Sequence, residues 1–153
     1  MDGTVEIQGL RALRLKLRRA EEAVASNPTL MGQIGAYLMF AIKTRTGEGE
    51  DAQGRDFRPY TDRYAEYRAK AGLPTSWVDL FFTGSMMSSM TFKASSKSVR
   101  LFFMNTEDKE GVKNPAKAYY NQMDRDFFSI SADEVEVIEK MVKEWVDRHL
   151  VRG

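Results

Sequence analysis

One histidine and no cysteine are available for chemistry in these 153 residues. That leaves no thiolate metal site, no thiol nucleophile and no disulfide. His149 falls at the end of a three-four apolar spacing near the C-terminus, where an imidazole packs or frays more readily than it ligates. A metal would therefore need a carboxylate cluster, and the acidic residues are instead interspersed with Lys and Arg, as on solvated helix faces. No serine has an imidazole near it in sequence, and nothing singles out a Ser-Lys pair. The segment 48–58, EGEDAQGRDFR, is acidic and glycine-rich, yet it misses the alternate-position ligand spacing and the closing Glu of an EF-hand. It also lacks the Gly-Lys-Ser/Thr end of a phosphate loop. The residues thus predict no catalytic group, no metal and no cofactor.

Non-covalent recognition is the other chemistry open to the chain. Cations and rings interleave at Arg55, Phe57, Arg58, Tyr60, Arg63, Tyr64, Tyr67 and Arg68, a pattern that could track a single nucleic-acid strand. Asp56, Asp62 and Glu66 offset that charge, and helical spacing puts Tyr64 and Tyr67 on the face expected to be buried. The formal net charge is +1, which gives no bulk attraction to nucleic acid or membrane. A basic face formed by Arg11, Arg14, Lys16, Arg18 and Arg19, followed by Glu21 and Glu22, reads as a solvated face or as a docking face for an acidic partner. Met86, Met87 and Met90 read as plastic core rather than as an interaction surface.

The elements that would position these groups follow from periodicity. No apolar run approaches the roughly 20 residues that span a bilayer, and MDGTVEIQGL lacks the basic segment and apolar core of a signal peptide. A short strand is expected at 4–8 and a helix at 10–25, with Leu10, Leu13, Leu17, Ala20 and Val24 at three-four spacing. Asn27-Pro28 starts a second helix over 28–45, with Met31, Ile34, Leu38, Ala41 and Ile42 inward. A mobile loop is expected at about 46–58. Thr61 caps a helix over 61–71 that Gly72, Leu73 and Pro74 end. Thr83-Gly84 turns into a short Met-rich helical segment, and alternation at 89–95 and 98–104 predicts a hairpin. Its second strand is apolar on both faces, so both are expected to be covered, one by helices and one by a neighbouring subunit. A polar loop over 105–117, a helical turn at 118–123 and a further strand at 126–130 lead to the last helix, 131–150. There Ser131 and Glu134 form a capping box, and Val135, Ile138, Val142 and Trp145 make the apolar stripe. The expectation is one α+β domain over 1–153, a small mainly antiparallel sheet covered by helices, with a long N-terminal and a long C-terminal helix.

The order of these features resembles the phage virion-morphogenesis family, the tail-completion proteins of contractile-tailed phages, and more distantly the head–tail neck and tail-terminator proteins. Four segments carry the resemblance: Val5-x-Ile7-x-Gly9-Leu10-x-x-Leu13; Gly54-x-x-Phe57-x-Pro59-Tyr60 with Thr61; Leu80-x-x-Thr83-Gly84-x-Met86-x-x-Ser89; and Ala118-x-x-Asn121-Gln122 followed by Arg125-x-Phe127-Phe128-x-Ile130-Ser131. Together they cover nearly the whole chain in order, and Thr83-Gly84 is the most specific. Two departures stand out. Met123-Asp124 replaces the glycine after the Asn-Gln pair, and the proline-rich spacer before Arg125 is missing.

The resemblance implies a non-enzymatic subunit of a tailed-phage virion, made in the host cytoplasm and placed at the tail or neck. It would form a ring, six copies by likeness, through which DNA passes without specific recognition. Its neighbours would be the tail tube or terminator and the connector proteins, with no membrane partner. A closed ring needs two unlike complementary surfaces on each copy. The candidate contacts are Arg11, Arg14 and Arg18 on the basic face, Asp51, Arg55, Phe57 and Arg58 on the loop, and Arg100 and Phe102 on the hairpin.

Overall fold

The structure, a computed structural model, describes residues 3–7, 15–17, 28–96 and 98–149. In chain order the elements are β1 (Gly3–Ile7), β2 (Leu15–Leu17), α1 (Pro28–Gly47), α2 (Asp62–Lys70), α3 (Ser85–Ser88), β3 (Met90–Ala94), β4 (Ser98–Phe103), α4 (Asn114–Asp124) and α5 (Ala132–His149). The fold is α+β. The sheet order is β2-β1-β4-β3, with β1/β2 and β3/β4 antiparallel and β1/β4 parallel.

The hairpin β3–β4 forms where alternation predicts it. Phe92 faces Leu101 across the strands, and Met90 faces Phe103. Val99, Leu101 and Phe103 are buried, whereas Arg100 on the opposite face is exposed and Phe102 half-buried. The buried face meets α1, whose Leu30, Met31, Ile34, Leu38 and Ile42 join the same apolar cluster with Phe127, Phe128, Ile138 and Val142. Gly35 sets how closely α1 lies on β3, since a Cβ there would fall 2.4 Å from a ring carbon of Phe92. Alanine is ordinarily better than glycine inside a helix by about 1 kcal/mol. Here overpacking of about 1–3 kcal/mol outweighs it. Gly35→Ala is therefore expected to destabilise the protein but to stabilise a Phe92→Ala background. Urea unfolding of the four variants checks that reversal of sign.

Local end signals hold. Tyr64 N donates to Thr61 Oγ1 at 3.3 Å, and α2 ends with Gly72 at φ 73°. There Leu73 N donates to Arg68 O and Gly72 N to Ala69 O, the paired bonds of a Schellman stop. At α5, Glu134 N donates to Ser131 Oγ and Ser131 N donates back to the Glu134 carboxylate.

Four expectations are corrected. Leu15–Leu17, assigned to a helix by spacing, are a strand on β1, because Leu-Lys-Leu also alternates and a backbone partner is at hand. The rest of that helix, 10–14 and 18–25, lies outside the described residues. The segment 126–130 is not a strand: Phe127 and Phe128 are both buried, which one-sided alternation forbids. Its carbonyls are taken by Arg45, whose guanidinium donates to Phe127 O at 3.2 Å and Ser129 O at 2.8 Å. The helix begun at 118 starts earlier, at Asn114, since Pro115 fits a first helical turn. Finally, Tyr64 and Tyr67 are exposed, and the buried residue of α2 is Arg68.

Candidate functional site

Arg68 explains how α2 is seated. Its guanidinium is fully buried and donates to Pro74 O at 3.0 Å, Phe81 O at 2.6 Å and Asp79 Oδ1 at 3.0 Å. It thereby folds the connector 74–82 against the helix. The displaced rings line up along the rim. Tyr60 meets Tyr64 edge-on with centroids 5.0 Å apart, Tyr64 meets Tyr67 at 6.2 Å, and Tyr67 stacks on Phe82 at 5.2 Å.

Below this row of rings lies a cleft of about 430 Å³. Its walls come from the approach to α2, the turn before α3, and α4. The Thr83-Gly84 turn is one rim: Ser85 N donates to Thr83 Oγ1 at 3.3 Å, and Gly84 sits at φ 82° with the Phe81 ring against it. Leu80 is on the same rim in the left-handed region at φ 54°, with its N–H donating to Tyr60 Oη at 3.2 Å. A leucine at positive φ is strained and persists only where its surroundings hold it. Burial, first of all, pushes the Tyr60 hydroxyl above its ordinary range, so it stays neutral.

Arg125 also lines the cleft. Its Nε donates to Arg58 O at 3.0 Å and its Nη2 to Pro59 O at 3.3 Å, and the guanidinium lies 5.2 Å from the Tyr60 ring centroid. Burial lowers its pKa below the ordinary arginine value, though an arginine stays charged. The other cations of the cleft have carboxylate partners: Arg58 has Asp124 at 3.9 Å, and Lys117 pairs with Asp108.

Asp108 is held below its ordinary value of 3.8, first by the Lys117 hydrogen bond and then by the N–H groups of Val112 and Glu110. A depressed carboxyl adds stability above its unfolded pKa and loses it as pH falls through the lower folded one. The Asp108 carboxyl carbon is therefore expected to titrate by NMR with a midpoint below 3.8, moving up in Lys117→Gln. A midpoint at or above 3.8 in the unsubstituted protein contradicts the pairing.

The residues named from sequence are scattered. Arg11, Arg14 and Arg18 lie outside the described residues. Asp51 and Phe57 are buried within the chain: Asp51 Oδ1 accepts the N–H groups of Gln53 and Arg55, and Phe57 joins the core. Arg55 and Arg58 are exposed, and Arg58 reaches the cleft. The segment 48–58 closes through the Glu50–Asp56 bridge and is tied to 126 by Ala52 N donating to Asp126 O. Arg100 and Phe102 share the sheet face away from α1, opposite Lys93 and Thr91. The His149 side chain lies outside the described residues.

Of the cleft residues, residue chemistry points to Arg58, Tyr60 and Tyr64, within the row of interleaved cations and rings, but not to Leu80, Thr83, Lys117 or Arg125. The signal for most of the rest lies in the motifs. Three of the four segments that carry the family resemblance, around Pro59-Tyr60, Leu80-Thr83-Gly84 and Asn121-Arg125, meet at this one place.

Among the described residues no three His, Asp or Glu side chains gather as a metal site, and no helix is long and apolar enough to cross a membrane. Comparison with protein-family models, with curated proteins and with solved structures finds no match for the chain.

Proposed function

We propose that this chain is a structural assembly subunit of a tailed-phage virion, of the tail-completion or neck type. It acts without catalysis, by burying complementary surfaces between copies in a ring and against tail and connector proteins. The observation that carries the reading is an apolar patch on α4. Tyr119, Tyr120 and Met123 are 49%, 67% and 70% exposed, and the two tyrosine rings touch edge-on at 5.7 Å. A separate element, α1, leaves Phe40 68% exposed. Unlike apolar surfaces on different elements are what a head-to-tail ring contact requires. The meeting of the three motif segments in one cleft supports the family likeness as a single three-dimensional unit.

Mass photometry over a concentration series tests the reading. A ring is expected at micromolar concentration. Large aromatic anchors at an interface are worth about 2 kcal/mol or more. Tyr120→Ser combined with Met123→Ser is therefore expected to weaken association by at least roughly 30-fold, with the circular dichroism spectrum unchanged. An unaltered association constant, or particles whose tail–capsid junction lacks the chain, refutes the proposal.

One observation favours a second reading, a single-stranded nucleic-acid module. The row Tyr60, Tyr64, Tyr67 and Phe82 is exposed at Tyr64 and Tyr67, where the sequence puts those rings inside. That module would quench tyrosine fluorescence with oligo-dT and lose affinity steeply with salt.

A further inference from the structure

The cleft beneath the tyrosine row contains one guanidinium that forms no ion pair among the described residues, Asp124 acting on it only from beyond contact. Arg68 has Asp79, Arg58 has Asp124 and Lys117 has Asp108, whereas Arg125 is held by two carbonyl oxygens and a ring face. Carbonyls and rings orient a guanidinium but give it no contacting carboxylate, and the nearby Asp124 is already paired with Arg58. The group beside it is an aromatic wall, Tyr60 and Tyr64, and the lining continues from Tyr60 to the strained Leu80 and the hydroxyls of Thr83 and Ser85. Strain at a cleft rim is stored where a binding surface is pre-set.

The number of cations without a contacting carboxylate selects the ligand. A polyanion is gripped by many cations at once and is favoured by each additional one. Here the neighbouring cations already carry carboxylates, so one anionic group fits and a run of phosphates does not. A single carboxylate with an apolar or aromatic neighbour matches one guanidinium beside a ring wall. We propose that this cleft is a docking site for a partner polypeptide, which places one aspartate or glutamate against Arg125 and an adjacent apolar side chain against Tyr60 and Tyr64. The assembly reading supplies only the source of that polypeptide, so the site is testable on the isolated chain whether or not rings form.

The test is a titration of the ¹⁵N-labelled protein with acetyl-Phe-Glu-amide and, separately, with acetyl-Phe-Gln-amide, followed by amide chemical shifts. The pair differs in charge alone, and an ionised acceptor roughly doubles the strength of each bond to the guanidinium. The Glu peptide is expected to bind at least about tenfold more tightly than the Gln peptide. Its shifts should centre on Tyr60, Thr83, Asn121 and Arg125. The contrast is made on the unsubstituted protein, so it does not depend on any variant folding. Arg125→Lys retains a cation but not the planar fork, and is expected to keep a reduced Glu preference. Equal affinity for the two peptides, no shifts at about 10 mM peptide, where even a millimolar dissociation constant would nearly saturate the site, or shifts confined to other surfaces overturn the proposal. So does tighter, salt-sensitive binding of oligo-dT at these same amides, which assigns the cleft to nucleic acid.

Discussion

Arg68→Ala is expected to destabilise the protein by about 3–5 kcal/mol, the cost of removing one partner from a buried, hydrogen-bonded ion pair. The guanidinium is fully buried and serves three acceptors on the connector 74–82: two carbonyls and the Asp79 carboxylate. Alanine would leave those acceptors without their donor and open a void where the long side chain lay. In a chain this size the melting temperature should fall by roughly 10 °C or more. Arg68→Lys should recover only part of the loss, because one ammonium cannot reach three acceptors in three directions. Trp77, half-exposed on the same connector, reports the local consequence as a fluorescence change at low urea that precedes global unfolding. A loss below about 1 kcal/mol, the range of an exposed ion pair, would show that the connector does not depend on this residue.

The second large effect is expected at Arg45. Its guanidinium donates to Phe127 O and Ser129 O and pairs with Glu134 Oε1 at 3.1 Å, so it joins α1, the segment before α5 and the capping residue of α5. Arg45→Met should cost about 3 kcal/mol. The lower end of the range applies because Arg45 Nε is already buried without a partner, and methionine removes that unmet donor. Much of the loss comes from the Glu134 charge left behind at 5% exposure. Adding Glu134→Gln removes the charge yet keeps an acceptor for Ser131 N, since glutamine serves in a capping box. The double variant is expected to be more stable than Arg45→Met alone. Urea midpoints decide it, and a double variant that is the less stable of the two contradicts the account.

These two arginines show why the chain was only partly legible. The capping box of α5, the Thr61 cap and the Gly72 stop of α2 all appear as expected. So do the hairpin β3–β4 and the inward stripe of α1. Each depends on groups within about four residues of one another, or on a period that repeats along the chain. The candidate contact residues fared differently, because exposure is not a local property. Asp51 and Phe57, polar-loop residues by sequence, are buried by the turn they help close.

Sequence by itself determined where α2 starts and stops and where α5 starts, because backbone donors and acceptors at those ends are satisfied by near neighbours. Tertiary structure alone decided which charges go inside and what they hold. Arg45 meets Phe127 across 82 positions and Arg125 meets Arg58 across 67. Tertiary structure also turned Leu15–Leu17 into a strand and left 126–130 irregular. It brought Tyr60, Leu80, Thr83 and Arg125 around one cleft. A guanidinium bonds whatever carbonyl the packed chain presents, and no pattern in its own neighbourhood specifies which one that will be.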